Sequence, residues 1–229
     1  MKVIEYKLVP HKSNSSIAFI RIDPENLKDT LAEIIKTLMD LSWLNCFDED
    51  YMISSFKQRA DETITDIQKK FANSSNDKVT KEAGEYVVSE LARESLLNQM
   101  NYLHIPLAEL LGMKISGNPG FDFYSQNNST NTIIFGEAKY NSNQNAYGAA
   151  IKQIAQFVTD KKDIKQIADL KPFCTLEALT RANNGFKGFA IAFSAKSTSS
   201  DRLIKNIMTH ARFCELSKHV EIIIVAVNL

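Results

Sequence analysis

Three residues of this chain have the types and spacing to do chemistry together. Glu137 and Lys139 close an apolar run, Ile133-Ile134-Phe135, that continues as Gly136-Glu137-Ala138-Lys139-Tyr140. Asp122 sits upstream in Gly120-Phe121-Asp122-Phe123, across a polar stretch from Ser125 to Asn131. Alternation on both sides of that stretch predicts two strands joined as a hairpin. Positions 137 and 139 then share one face of their strand. A hairpin register can bring the Asp122 carboxylate beside that of Glu137. Two converging carboxylates suit a hard divalent cation such as Mg²⁺, which takes one or two carboxylates plus water and phosphate oxygens. Such an ion acidifies water and neutralises charge building on phosphate. An adjacent ammonium orients the water and counters developing negative charge.

An acid-x-lysine triplet is common in a chain that is 24% charged, and others occur, among them Glu5-Tyr6-Lys7, Asp160-Lys161-Lys162 and Asp163-Ile164-Lys165. The first has no acidic strand before it, and the other two fall in a helix and its polar end. Only Glu137-x-Lys139 closes an apolar strand directly after an acid-bearing one. The competing reading is a solvated charge at a strand end.

The pattern Gly-Phe-Asp122, a gap, then Glu137-Ala-Lys139 resembles the PD-(D/E)XK nuclease superfamily. More narrowly, the stretch from Gly84-Glu85 to Ile154 resembles the nuclease subunits (HamA) of the Hachiman anti-phage systems. It shares a Gly-Glu in a helix, a Gly-Phe-Asp strand, a Gly-Glu-x-Lys strand followed by an aromatic, and an Ala-rich helix. The likeness covers about a third of the chain well and departs at Phe121, where the superfamily's name has proline. It implies an α/β fold with a restriction-endonuclease-like core, a mixed central sheet flanked by helices. It implies a Mg²⁺- or Mn²⁺-dependent DNA endonuclease of antiviral defence. Asp122, Glu137 and the Ala138 carbonyl would bind metal, Lys139 would position or activate water, and Glu85 would complete the site. It also implies a helicase or ATPase partner, since the chain shows no ATP site: Lys196-Ser197-Thr198 lacks the preceding glycines of a phosphate loop.

The 229 residues, 44% hydrophobic, suffice for a substantial core in one domain with or without an appendage. No apolar run approaches the roughly twenty residues of a membrane span, and charges at Lys2, Glu5 and Lys7 occupy the place of a signal peptide's apolar stretch. Cys46, Cys174 and Cys214 are odd in number and far apart, which predicts free thiols in a reducing cytoplasm. His11, His104, His210 and His219 form no HxH or HExxH pair, arguing against a zinc hydrolase. Net charge is zero, but residues 1–138 carry 14 Lys/Arg against 20 Asp/Glu and residues 139–229 carry 13 against 7. A basic second half suits a local nucleic-acid surface; solvated helix faces of opposite sign would give the same count.

In order, strands are expected at Lys2 to Val9 and Ile17 to Ile22. A helix follows, capped by Asp23 with Pro24 at its first position. It carries Leu27, Leu31, Ile34, Ile35, Leu38 and Leu41, with Leu44 at its end. A second helix spans Met52 to Phe71. The polar run Ala72 to Asp77 reads as a linker, dividing an N-terminal α+β appendage (1–75) from the core (76–229). A helix from Lys78 to about Tyr102 holds Gly84, an interior glycine that makes sense where another backbone packs closely. A short helical turn spans Leu107 to Leu111, and Met113 to Ile115 is expected to open the core sheet. After the hairpin, a helix from Ala146 buries Tyr147, Ile151, Ile154 and Val158. That places Gln153 and Gln156 on its flank to contact substrate, a role the resemblance supports for Gln153. A strand at Phe189 to Phe193, one helix from Arg202 to Leu216 capped by Ser200 or Asp201, and a buried strand from Glu221 to Leu229 complete the chain. The last run's unbroken apolar character suits a central or parallel position.

Two other classes of function fit this reading: a nuclease fold that binds DNA or protein without catalysis, and a structural subunit of a defence complex.

Overall fold

The computed structural model describes residues 1–13, 15–74, 80–112 and 120–229. Its strands form one six-stranded mixed sheet in the order β1-β2-β6-β5-β4-β3, flanked by helices. The strands are β1 (Lys2–Leu8), β2 (Ser16–Asp23), β3 (Phe123–Asn127), β4 (Thr132–Lys139), β5 (Gly188–Ala195) and β6 (Glu221–Asn228). The helices are α1 (Leu27–Leu38), α2 (Asp50–Ala72), α3 (Lys81–Met100), α4 (Tyr147–Thr159), α5 (Lys162–Gln166), α6 (Leu176–Asn183), α7 (Ser200–Met208) and α8 (Phe213–Leu216). Strands β2, β6, β5 and β4 run parallel; β1 and β3 pair antiparallel at the two edges.

The central strands are buried on both faces, and their composition shows it. β6 reads Ile222-Ile223-Ile224-Val225-Ala226-Val227 with every one of these side chains inaccessible, the continuous apolar run expected of a strand covered on two sides. Its parallel neighbours are β2 and β5. The appendage expected at 1–75 therefore shares its sheet with the rest of the chain: Ser16 to Ile22 pair residue for residue with Glu221 to Val227.

Several local expectations are corrected. The first helix is capped by Asn26, whose side chain accepts from Asp29 N, while Asp23 accepts from Glu25 N in the preceding turn. Leu41 and Leu44 lie beyond it, Leu44 in a 3₁₀ turn at Ser42–Cys46. The hairpin strand β3 runs on to Asn127, so the turn is tighter than Ser125 to Asn131 and includes Asn131 in the left-handed region. The helix expected from Arg202 to Leu216 is two, α7 and α8, separated by residues 209–212. The expected strand at Met113 to Ile115 and the second half of the expected linker, residues 75–77, lie outside the described residues. The three cysteines are free, as their spacing suggests. Among the described residues no helix is long and apolar enough to cross a membrane.

Candidate active site

The carboxyl ends of parallel strands are where an open α/β sheet offers a crevice, and Glu137 and Lys139 stand at that end of β4. Glu137 is fully buried. Its Oε1 accepts from Lys139 Nζ at 2.6 Å, the two side chains sharing one face of the strand. Glu85, half-buried on α3, approaches the same ammonium from the other side, 3.8 Å from Nζ.

Asp122 brackets Glu137 from the neighbouring chain segment. Its backbone N–H donates to Gly136 O at 2.8 Å, and its carboxylate Oδ2 accepts from Ala138 N at 2.7 Å. Regular β3–β4 pairing begins one residue later, at Phe123 opposite Gly136. Asp122 thus replaces a ladder partner with its side chain, caps the edge of β4, and is itself fully buried. The N–H and C=O of a strand residue project to the same edge, so the Ala138 carbonyl is directed to the side where Asp122 sits.

Two close approaches hold this corner together. Gly84 of α3 lies against the Tyr140 ring so tightly that a Cβ at Gly84 would sit 2.2 Å from Tyr140 Cγ. Because Glu85 follows Gly84 and Tyr140 follows Lys139, this contact sets the Glu85–Lys139 spacing. The neighbour that excludes a side chain at position 84 is an aromatic ring, not the backbone expected from the sequence. Gly136 plays the matching part for Phe123, whose ring would lie 2.3 Å from an added Cβ. Beyond Lys139, the loop is pinned to the end of β5. Asn141 N donates to Ser194 Oγ at 2.9 Å, and Asn145 accepts from Lys196 N at 2.8 Å while donating to Thr198 Oγ1.

The electrostatics favour a charged lysine. Burial pulls the Lys139 pKa down, but the Glu137 carboxylate, with Asp122 and Glu85 behind it, raises it past the ordinary lysine value. Lys139 is therefore an ammonium ion at neutral pH. Tyr124, two residues along from Asp122 and buried, has its hydroxyl pKa pushed well up, by burial first and by the Asp122 charge next.

Glu85, Asp122, Ala138, Glu137 and Lys139 are thus brought to one place. The two glutamines stand apart from that cluster in character. Gln153 is half-buried on α4, and Gln156 is exposed with its amide donating to Asp160 at 3.0 Å. Lys196, Asn141, Asn145 and Ser194 were not foreseen as part of this corner. The signal available in the sequence is the polar Ser194, next to last in an otherwise apolar β5. Among the described residues, no three His, Cys, Asp or Glu side chains gather into a ready-made metal cage. The donor set, two buried carboxylates with a carbonyl beside them, fits a hard ion that completes its shell with water and phosphate. Comparisons with protein-family models, with curated proteins and with solved structures find no match for this chain.

Proposed function

We propose that this protein is a metal-dependent DNA endonuclease with a PD-(D/E)XK-like core, the effector of an anti-phage defence complex. The observation that carries the reading is the corner at the end of β4, where Asp122 flanks Glu137 and the Lys139 ammonium lies between Glu137 and Glu85. Asp122, Glu137 and the Ala138 carbonyl would hold Mg²⁺ or Mn²⁺. The bound ion supplies Lewis acidity at the scissile phosphate. Lys139, held protonated, donates to the attacking water or a non-bridging phosphate oxygen and offsets charge as it develops. Glu85 restrains that ammonium from the α3 side, so its removal leaves Lys139 positioned by Glu137 alone. Fixing the nucleophile in line with the leaving oxygen is the remaining contribution of a corner packed this tightly. Gln153, nearer the covered side of α4 than Gln156, is the better placed of the two to meet substrate. A helicase or ATPase partner would feed or restrain the nuclease in the cytoplasm.

The reading is tested by Mg²⁺- or Mn²⁺-dependent cleavage of plasmid and single-stranded DNA by the purified chain, beside a Glu137→Ala/Lys139→Ala double variant. Cleavage by the wild type alone supports it. Cleavage retained by the double variant overturns the assignment of the site. No cleavage by the wild type, alone or with any co-purified partner, favours a binding module on a nuclease fold. That second reading draws on Glu85, which meets the Lys139 ammonium at 3.8 Å and does not complete a three-acid cage among the described residues.

A further inference from the structure

The opposite end of the sheet carries an unusual edge. β1 is an outermost strand, and among the described residues it pairs only with β2. From Ile4 on, its even-numbered side chains face outward and are apolar: Ile4 and Tyr6 are each 45% exposed and Leu8 67%. Edge strands of soluble domains are normally blunted by charge, proline or brevity. Here the outward stripe contains no charge after Lys2.

The hydrogen-bond parity of this edge is fixed. Val9 N donates to Ile17 O, and Lys7 and Glu5 stand opposite Phe19 and Arg21 in the same register. Glu5, Lys7 and Val9 therefore direct their N–H and C=O groups to β2, and Tyr6 and Leu8 direct theirs to the free edge. Regularity breaks only at the bulge between Val3 and Glu5.

We propose that this edge pairs with β1 of a second copy of the chain, antiparallel about a two-fold axis at Tyr6, joining two sheets into one. Antiparallel pairing requires edge-facing residues to meet edge-facing residues, which leaves registers centred on a residue. Centring on Glu5 sets it against the partner's Glu5, and centring on Lys7 sets it against the partner's Lys7. Centring on Tyr6 instead places Glu5 opposite the partner's Lys7 and Lys7 opposite the partner's Glu5. Both are non-hydrogen-bonded positions, where side chains lie closest. It also sets Ile4 against the partner's Leu8 and Tyr6 against the partner's Tyr6, bringing the two outward apolar stripes into cross-strand contact. Glu5 and Lys7 keep about a third of their side-chain surface exposed and lie 2.8 Å apart within one chain, where Lys7 also pairs with Asp201 at 2.8 Å; both are within reach of the new edge. This interface is independent of the proposed chemistry, which lies across the sheet on β4.

The test is sedimentation equilibrium of the full chain over a range of concentrations. Wild type is expected at twice the mass of one chain at the upper end. Tyr6→Pro removes an edge-facing N–H that β2 does not use and should raise the dimer dissociation constant by at least ~10-fold while thermal unfolding shows the fold intact. Lys7→Glu should weaken the dimer, and the exchange Glu5→Lys/Lys7→Glu should restore it. In a Cys46→Ser/Cys214→Ser background, which removes the two exposed thiols, Tyr6→Cys should cross-link across the axis. Lys7→Cys, offset by two residues from its copy, should not. A wild type monomeric at every concentration, a folded Tyr6→Pro variant that dimerises as tightly, or cross-linking at position 7 in place of 6 overturns the proposal.

Discussion

Replacing Gly84 by alanine tests the contact that sets the geometry of the candidate site. The added methyl would lie 2.2, 2.4 and 2.7 Å from Cγ, Cδ1 and Cδ2 of Tyr140. Carbon atoms settle at about 3.5–4.0 Å, so ring and helix must separate by more than ~1 Å. Forcing a methyl into a packed site costs about 1–3 kcal/mol. Alanine inside a helix gains roughly 1 kcal/mol over glycine, so the net loss for Gly84→Ala is about 0–2 kcal/mol. The single variant alone is thus a weak discriminator, and a double-mutant cycle with Tyr140→Ala is decisive. With the ring gone, Gly84→Ala should stabilise by its full propensity gain of roughly 1 kcal/mol, giving a coupling energy of about 1–3 kcal/mol. Urea unfolding of the four proteins with unchanged m-values provides the measurement. The same separation moves Glu85 away from Lys139, and a misplacement of ~1 Å costs about a hundredfold in rate. On the nuclease reading, cleavage should therefore fall far more than stability does. A coupling energy near zero, with Gly84→Ala stabilising in the wild-type background, would refute the reasoning.

Two further outcomes follow from the charges. Lys139→Ala should abolish cleavage and leave Asp122 and Glu137 without their shared cation. The variant should then melt lower without metal and gain more from millimolar Mg²⁺ than the wild type does in a thermal shift assay; equal gains would show that the ammonium and the metal do not compete for these carboxylates. Burial holds the His219 pKa below its ordinary 6.5, with the nearby Lys187 charge acting in the same direction and Asp163 opposing it. The unfolded chain then binds a proton at a pH where the folded chain does not. Stability is complete above the unfolded value and declines as pH falls through about 6.5. His219→Leu, which keeps an apolar contact with the Phe189 ring packed 4.8 Å away, should reduce that slope in urea titrations at pH 5.5 and 7.5; an unchanged slope would assign it to His104 and His210, whose pKa values are also lowered.

What was legible in the sequence was whatever depends on period. Alternation put Glu137 and Lys139 on one face, and the unbroken run from Ile222 to Val227 marked a strand buried on both faces. A glycine inside α3 announced a close approach. What was not legible depends on partners far along the chain. Nothing near Ser16 to Ile22 indicates that its neighbour is Glu221 to Val227, and that pairing joins the first strands to the main sheet. The Asp122 carboxylate substitutes for a missing ladder partner at Ala138 N; alternation predicts a residue's face, not a side chain turned back onto the adjacent strand. Asp23 and Asn26 both have cap chemistry, and only the path of the chain into α1 decides that Asn26 fulfils it.

The corner at the end of β4 also shows why stability alone does not account for these residues. Asp122 and Glu137 are wholly buried, and burying two carboxylates together is unfavourable unless charge and hydrogen bonds offset it. The Lys139 ammonium and the Ala138 N–H provide that offset. A pair of apolar side chains would close the same corner more simply. Elsewhere on this sheet apolar pairs do so: on the same face of the same strand, Phe135 packs on Phe121, Tyr124 and Phe189. These charges lie where the parallel strand β4 ends, at the side an α/β sheet offers to a ligand. If the charges served only structure, exchanging Glu137 for Gln and Lys139 for Met together would leave a stable chain with no other change. In the nuclease reading the same double variant is at least as stable as wild type yet loses cleavage and metal response together.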